Sequence, residues 1–275
     1  MTGSRTRRFS LLTVVVGIAT AAVAQNELGF RDTPILPGGK WHVHDPDRPQ
    51  PPVVRPGATA AAAPSDAIVL FDGKSLDAWR PEKKPWILKN GAVTVPLVEG
   101  GAGALISRER FGDVQLHLEF RSPSPPTKRS QDRGNSGIWF MQRYEVQILD
   151  GYQNPTYADG GVGAVYGWKP ALANAARRPG EWQTYDIVFE RPRFADDGRL
   201  VRPAYVTAFL NGVLVQNHQA MLGTTIWRHV AKYEKHGDAE PLQLQDHNSP
   251  VSFRNIWVRR LPAEAIAQDL PGDAQ

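Results

Sequence analysis

Beyond Asp66 the chain is a succession of short runs rich in β-branched and aromatic residues, each closed by a cluster of Gly, Pro, Asn or Asp, and no stretch sustains a helical period. A chain punctuated in this way buries its apolar residues as strands stacked in sheets. The runs that alternate most clearly are residues 67–71, 86–95, 114–122, 182–190, 206–217 and 241–261. Asn90-Gly91 and Asn211-Gly212 fall inside two of them and suit a type I′ hairpin turn, whose two central residues both need positive φ. Asp197-Gly198 marks another turn, which accounts for Asp196 and Asp197 as turn chemistry rather than metal chemistry. Strand number and turn spacing predict an all-β fold, a jelly-roll β-sandwich of two antiparallel sheets, over residues 65–262.

One strand is unusual. In residues 134–150, GNSGIWFMQRYEVQILD, period 2 places Tyr144, Val146 and Ile148 on one side and Arg143, Glu145 and Gln147 on the other. The first side is core, and the second is either solvated surface or a binding face. The same alternation near the C-terminus puts Leu242 and Leu244 on one face and Gln243, Gln245 and His247 on the other. A curved sheet carrying such a polar face suits sugars, whose hydroxyls need hydrogen-bond partners while their C–H faces stack on aromatic rings.

The N-terminus constrains location. Arg5, Arg7 and Arg8 precede an apolar run that ends in Ala22-Val23-Ala24, the pattern of a secretory signal peptide cleaved after Ala24. The run is shorter than the roughly 20 residues a spanning helix needs, so no membrane span is expected after cleavage, and the mature chain is expected to be periplasmic or secreted. Loss of the three arginines brings the net charge of +4 down to +1, which argues against a nucleic-acid partner. Absence of cysteine excludes disulfides and thiolate metal sites. Residues 25–64 are rich in Pro, Ala and Gly and read as an extended arm. Within it, Trp41, His42, His44 and Asp45 fit an aromatic anchor docking the arm better than a two-histidine metal site. Residues 263–275 form a short tail.

Several segments together resemble the 3-keto-disaccharide hydrolase family: LFDGKSLDAW, GNSGIWFMQRYEVQILD, GAVYGWKP, PGEWQTYDIVF, LNGVLVQ and LQDHNSPVSFRNIWVRRL. Their order spans nearly all of residues 66–261. The resemblance implies a concanavalin A-like jelly roll, a carbohydrate substrate, and cleavage of glycosides already oxidised at C3 of the sugar, by hydrolysis or elimination. A C3 ketone acidifies the C2 proton, so one base, an enolate stabiliser and an acid for the leaving group suffice. A non-catalytic carbohydrate-binding module is the alternative.

Beside that resemblance the candidate residues acquire roles. His247 is the expected base, since an imidazole changes charge near neutral pH, and Glu145 is the alternative base or a metal ligand. Lys169 is a cation for the developing enolate. Asn135, Gln147, Asp150, Tyr166, Trp168, Gln245 and Arg254 are expected to contact substrate, with a turn cap the competing role for Asp150 and an ion pair with Glu145 across the sheet for Arg254. Trp182 is expected in the core. The residues specify no cofactor with certainty; a divalent metal is compatible with them and would draw on Glu145, Asp246 and His247, although no ligand spacing demands one. Neither the sugar nor the oligomeric state is legible.

Overall fold

In the computed structural model residues 28–262 are described, so the predicted signal segment, residues 1–24, and the tail, residues 263–275, lie outside the described residues. The chain divides into two units, with the boundary between Pro52 and Val53. That boundary falls inside the predicted arm. Residues 53–64 belong with the large unit because Ala61 carbonyl accepts hydrogen bonds from Asn255 Nδ2 at 2.8 Å and Trp257 Nε1 at 3.0 Å. In the small unit a bridge between Ile35 and His42 closes a loop, His42 Nδ1 bonds the Thr33 carbonyl, and the Asp45 carboxylate accepts the His42 and Asp47 N–H groups. The His-x-His segment is therefore spent on local structure.

The large unit is all-β; its described residues contain two 3-10 turns and no α-helix. Its strands are β1 (Ile68–Phe71), β2 (Trp79–Pro81), β3 (Ile87–Lys89), β4 (Ala92–Thr94) and β5 (Leu105–Phe111). They continue as β6 (Val114–Arg121), β7 (Ser136–Phe140), β8 (Tyr144–Ile148), β9 (Gln183–Glu190) and β10 (Arg193–Phe194). The last are β11 (Leu200–Arg202), β12 (Tyr205–Leu210), β13 (Val213–Ala220), β14 (Glu240–Leu244) and β15 (Ser252–Arg260). A large antiparallel sheet runs β13-β12-β9-β6-β15-β4-β3 with β1 also on β15, a smaller one runs β2-β5-β14-β7-β8, and β10-β11 form a ribbon. The two sheets make the expected jelly-roll sandwich. Both Asn-Gly turns take positive φ at each residue, as the type I′ geometry requires.

Apolar side chains from both sheets meet in the middle. Tyr144, Val146 and Ile148 of β8 are fully buried against a face that includes Tyr185, Ile187 and Phe189 of β9. Phe140 stacks on Phe189 at 4.6 Å, and Phe120 on Tyr185 at 5.2 Å. Each such side chain contributes about 1.5–3 kcal/mol by leaving water. Tyr185 also sends its hydroxyl across the core to the Gln147 carbonyl at 2.8 Å, which fixes β8 against the opposite sheet.

Two local expectations fail. Trp182 precedes β9 and is half-buried between the Arg121 and Arg254 guanidinium groups, at 4.7 and 4.2 Å, rather than in the core. Arg143 lies in the turn before β8, where its guanidinium bonds the Met141 carbonyl, so it does not share the outward face of Glu145.

Candidate functional site

The outer face of the smaller sheet carries two rows of side chains across β14, β7 and β8. Register pairs Gln243 with Trp139 and Trp139 with Glu145, giving the first row. In the second row Gly137 stands opposite Gln147, and its carbonyl accepts the Gln245 N–H at 3.0 Å. Glycine at the centre leaves a hole, and the neighbouring glutamate fills it. A Cβ on residue 137 would sit 2.2 Å from Glu145 Oε1 and 3.0 Å from Trp139 Nε1. Gly137 is thus required for space, so that a carboxyl and an indole N–H can approach one point.

Glu145 and Gln147 are 2% and 1% exposed, so the face is neither solvated surface nor core. Burial pushes the Glu145 carboxyl up to about 8, because the charged form loses its hydration. The Trp139 N–H beside it pulls weakly the other way, without the geometry of a full hydrogen bond. The Gln147 amide nitrogen donates to Gln131 Oε1 at 3.3 Å and Gly160 carbonyl at 3.2 Å, which leaves Gln147 Oε1 buried with no partner. Gln245 Oε1 and Trp139 Nε1 are also buried and unpartnered. Orphaned polar atoms cost about 1–3 kcal/mol each, and the three residues that carry these all line one cavity, as the residues of a ligand site do.

Loops wall the cavity. Along the free edge of β8, Ala164 carbonyl accepts the Gln147 N–H, Gly163 donates to the Gln147 carbonyl, and Val165 bridges Val146. This strip covers the strand edge and brings in Tyr166, whose hydroxyl bonds that of Tyr157 at 2.8 Å. Burial holds the Tyr166 phenol well above its ordinary value, so it stays protonated. Thr225 Oγ1 accepts the Glu145 N–H at 3.2 Å from the other side. Asn135, 4% exposed, donates to the Gln131 carbonyl at 2.6 Å. His247 stands exposed at the rim, with no hydrogen-bond partner among the described residues. The space is about 460 Å³, within the range of small-molecule sites.

Of the residues expected from sequence, Glu145, His247, Asn135, Gln147, Tyr166 and Gln245 line this cavity together. Lys169 does not: it is exposed beyond a tight turn in which Val165 and Lys169 exchange backbone hydrogen bonds. Trp168 points its N–H at the Ala220 carbonyl, 3.1 Å away and outside the cavity. Asp150 caps its own turn through the Tyr152 N–H and pairs with Arg133 at 2.7 Å. Arg254 pairs with Glu119 of the large sheet at 2.6 Å, not with Glu145. The Asp246 carboxylate accepts the N–H groups of Ala102, Gly103 and Asn248, and among the described residues no three ligating side chains assemble around a metal. Trp139, Gln131, Thr225, Tyr157 and Trp227 line the cavity without having been anticipated. Trp139 alone was within reach, because a hairpin through Met141 sets it opposite Glu145; the others arrive on loops with no period to read.

The sequence model of the 3-keto-alpha-glucoside-1,2-lyase-like domain matches residues 66–259. A solved structure from Parabacteroides distasonis ATCC 8503, provisionally described as a glycosyl hydrolase, is 44% identical, with a TM-score of 0.74 over 82% of this chain and 100% of its own. A second protein of that organism, described in the same way, is 17% identical with a TM-score of 0.50 over 72% of this chain and 94% of its own, a likeness of fold alone. No curated protein matches the chain.

Proposed function

The chain belongs to the 3-keto-alpha-glucoside-1,2-lyase-like family, and from that premise we propose that it is an exported enzyme cleaving glycosides already oxidised at C3 of the sugar. What supports the reading is the meeting of a proton-holding carboxyl and an unpartnered indole N–H above Gly137, in a cavity whose lining also carries the two glutamines with unpartnered amide oxygens. A sugar that is a ketone at C3 and carries hydroxyls elsewhere meets each of those groups with its complement. Residues lining a mere binding face need no buried carboxyl, whose desolvation destabilises the fold.

In this reading the protonated Glu145 and the Trp139 N–H donate to the C3 oxygen, and the amide oxygens of Gln147 and Gln245 accept from sugar hydroxyls. His247 removes the C2 proton. The C2–H electron pair forms the enolate, whose oxygen draws on the two donors as its charge grows. Collapse of the enolate restores the C3 carbonyl, makes the C1–C2 double bond and breaks the bond from C1 to the leaving oxygen, which takes up the proton His247 removed. Tyr166, held neutral, supplies a hydrogen bond there. Release at this stage is elimination, and addition of water across the double bond gives net hydrolysis. A neutral carboxyl kept to donate a hydrogen bond is a known device for enolate chemistry.

The deciding experiment incubates the protein with a 3-keto-glucoside and with the unoxidised glucoside, beside His247→Ala. Cleavage of the keto substrate alone is expected, with kcat/KM lower by about 100-fold in the variant. Inertness toward both, with measurable sugar binding, would sink the enzyme reading in favour of a carbohydrate-binding module.

A further inference from the structure

Strand β8 is the last strand of the smaller sheet, and its outward backbone groups are met by loops rather than by another strand. Gln147 has both of its groups satisfied by main chain, the N–H by the Ala164 carbonyl at 2.9 Å and the carbonyl by the Gly163 N–H at 3.1 Å. Glu145 does not. Its carbonyl takes the Tyr166 N–H at 3.4 Å, but its N–H finds a side chain, the Thr225 hydroxyl oxygen at 3.2 Å.

Thr225 belongs to the long connection between β13 and β14, residues 221–239, and its place there does not depend on its hydroxyl. At the foot of the connection the Thr224 N–H bonds the Lys232 carbonyl at 3.0 Å, and a Cβ on Gly223 would lie 2.3 Å from the Lys232 carbonyl carbon. The Thr225 N–H then bonds the Arg143 carbonyl at 2.8 Å, which fastens the connection to the turn before β8. Main-chain bonds thus bring Thr225 against the strand edge, and its hydroxyl is left to serve the residue that carries the buried carboxyl.

We propose that Thr225 is a positioning residue for Glu145, holding its N–H where the edge of the sheet offers no carbonyl, so that the carboxyl stays in the space above Gly137. The inference rests on the proposed role of Glu145 in glycoside cleavage. Without the hydroxyl a buried N–H is orphaned, and water or a shift of the strand edge has to satisfy it. Either change hydrates the neighbouring carboxyl and lowers the cost of its charged form.

The test compares Thr225→Val, which keeps the shape and loses the acceptor, with Thr225→Ser, which keeps the acceptor. Titration of the Glu145 carboxyl, followed by NMR without substrate, is expected at about 8 in the wild type and in Thr225→Ser, and about one pH unit lower in Thr225→Val. On a 3-keto-glucoside, kcat/KM is expected to fall about tenfold in Thr225→Val, through kcat rather than KM, and by less than about twofold in Thr225→Ser. A carboxyl that titrates alike in Thr225→Val and wild type, or a Thr225→Ser protein as impaired as Thr225→Val, overturns the inference. Should the wild type cleave no keto-glycoside, the cleavage reading fails, and the titration still decides whether Thr225 holds the carboxyl in place. If Thr225→Val does not fold, amide hydrogen exchange of the wild type decides: a Glu145 N–H that exchanges as slowly as that of Gln147 supports the inference, and one that exchanges as fast as an exposed loop overturns it.

Discussion

The outer faces of the two sheets carry nearly the same residue types to opposite ends. On the large sheet Glu119, 8% exposed, accepts from Arg254 at 2.6 Å and from Asn255 at 3.0 Å. His117 beside it bonds Asp186 at 2.7 Å and stacks on Trp257 at 5.1 Å, whose N–H reaches Ala61. On the smaller sheet Glu145 and Gln147 are buried and Gln245 and Trp139 half-buried, yet three of their polar atoms have no partner. A buried glutamate with a tryptophan nearby is therefore no evidence of a site by itself. What separates structure from site is whether the hydrogen-bonding capacity is already spent.

The strongest way to break this contrast is Gly137→Ala. The new methyl group takes the place of the Glu145 carboxyl, at the end of a flexible side chain, so the fold is expected to survive while the carboxyl is displaced. A misplacement of this order costs about 100-fold in kcat/KM. Wild-type turnover of a 3-keto-glucoside by a well-folded Gly137→Ala protein would remove Glu145 from the chemistry.

The converse test is Glu119→Ala. It strips the acceptor from Arg254 and Asn255, and because the Arg254 side chain is 41% exposed the loss is screened to about 1–2 kcal/mol. Thermal unfolding is expected about 5 °C lower, with kcat/KM of the folded fraction unchanged. Lost activity at unchanged Tm would mean that the large sheet also carries a functional face.

That distinction was half legible in the amino-acid sequence. Period 2 sorted Glu145, Gln147 and Gln243 from the core residues, because alternation is a property of a single strand, whereas Gln245 and His247 reach the cavity from beyond the end of β14. It also gave the sandwich, whose hairpins are written locally in Asn90-Gly91 and Asn211-Gly212. Partners are not local. Arg254 found Glu119 on β6, its neighbour in the sheet, and Trp182 was set between two arginines by strand order that no single run encodes. Strand β5 went unread because Leu105 and Ile106 are buried in succession, where alternation would expose one of them.

The pH dependence sharpens the role of Glu145. With its folded value near 8 and an ordinary value of 4.5, the carboxyl is protonated in the folded protein at neutral pH but ionised in the unfolded chain. Stability associated with this group is present in full below about 4.5 and is lost as pH rises through about 8. Glu145→Gln should therefore raise Tm relative to wild type by more at pH 8 than at pH 5. As a proton donor Glu145 should also make kcat/KM fall about tenfold per unit above pH 8, a limb the glutamine variant lacks. A rate that climbs through pH 8 instead would make Glu145 the base.

The smallest effect belongs to Lys169→Ala. The lysine matched the chemistry an enolate wants, but the turn closed by Val165 and Lys169 leaves it exposed and outside the cavity. The donors facing the space above Gly137 are an indole N–H and a protonated carboxyl, neither of which brings a fixed charge into a buried site. Removing Lys169 is accordingly expected to change kcat/KM by less than about twofold, within the range of a solvated surface residue. A loss of about tenfold would mean that the 165–169 turn swings inward when substrate binds, and would transfer the enolate's stabilisation from neutral donors to a cation.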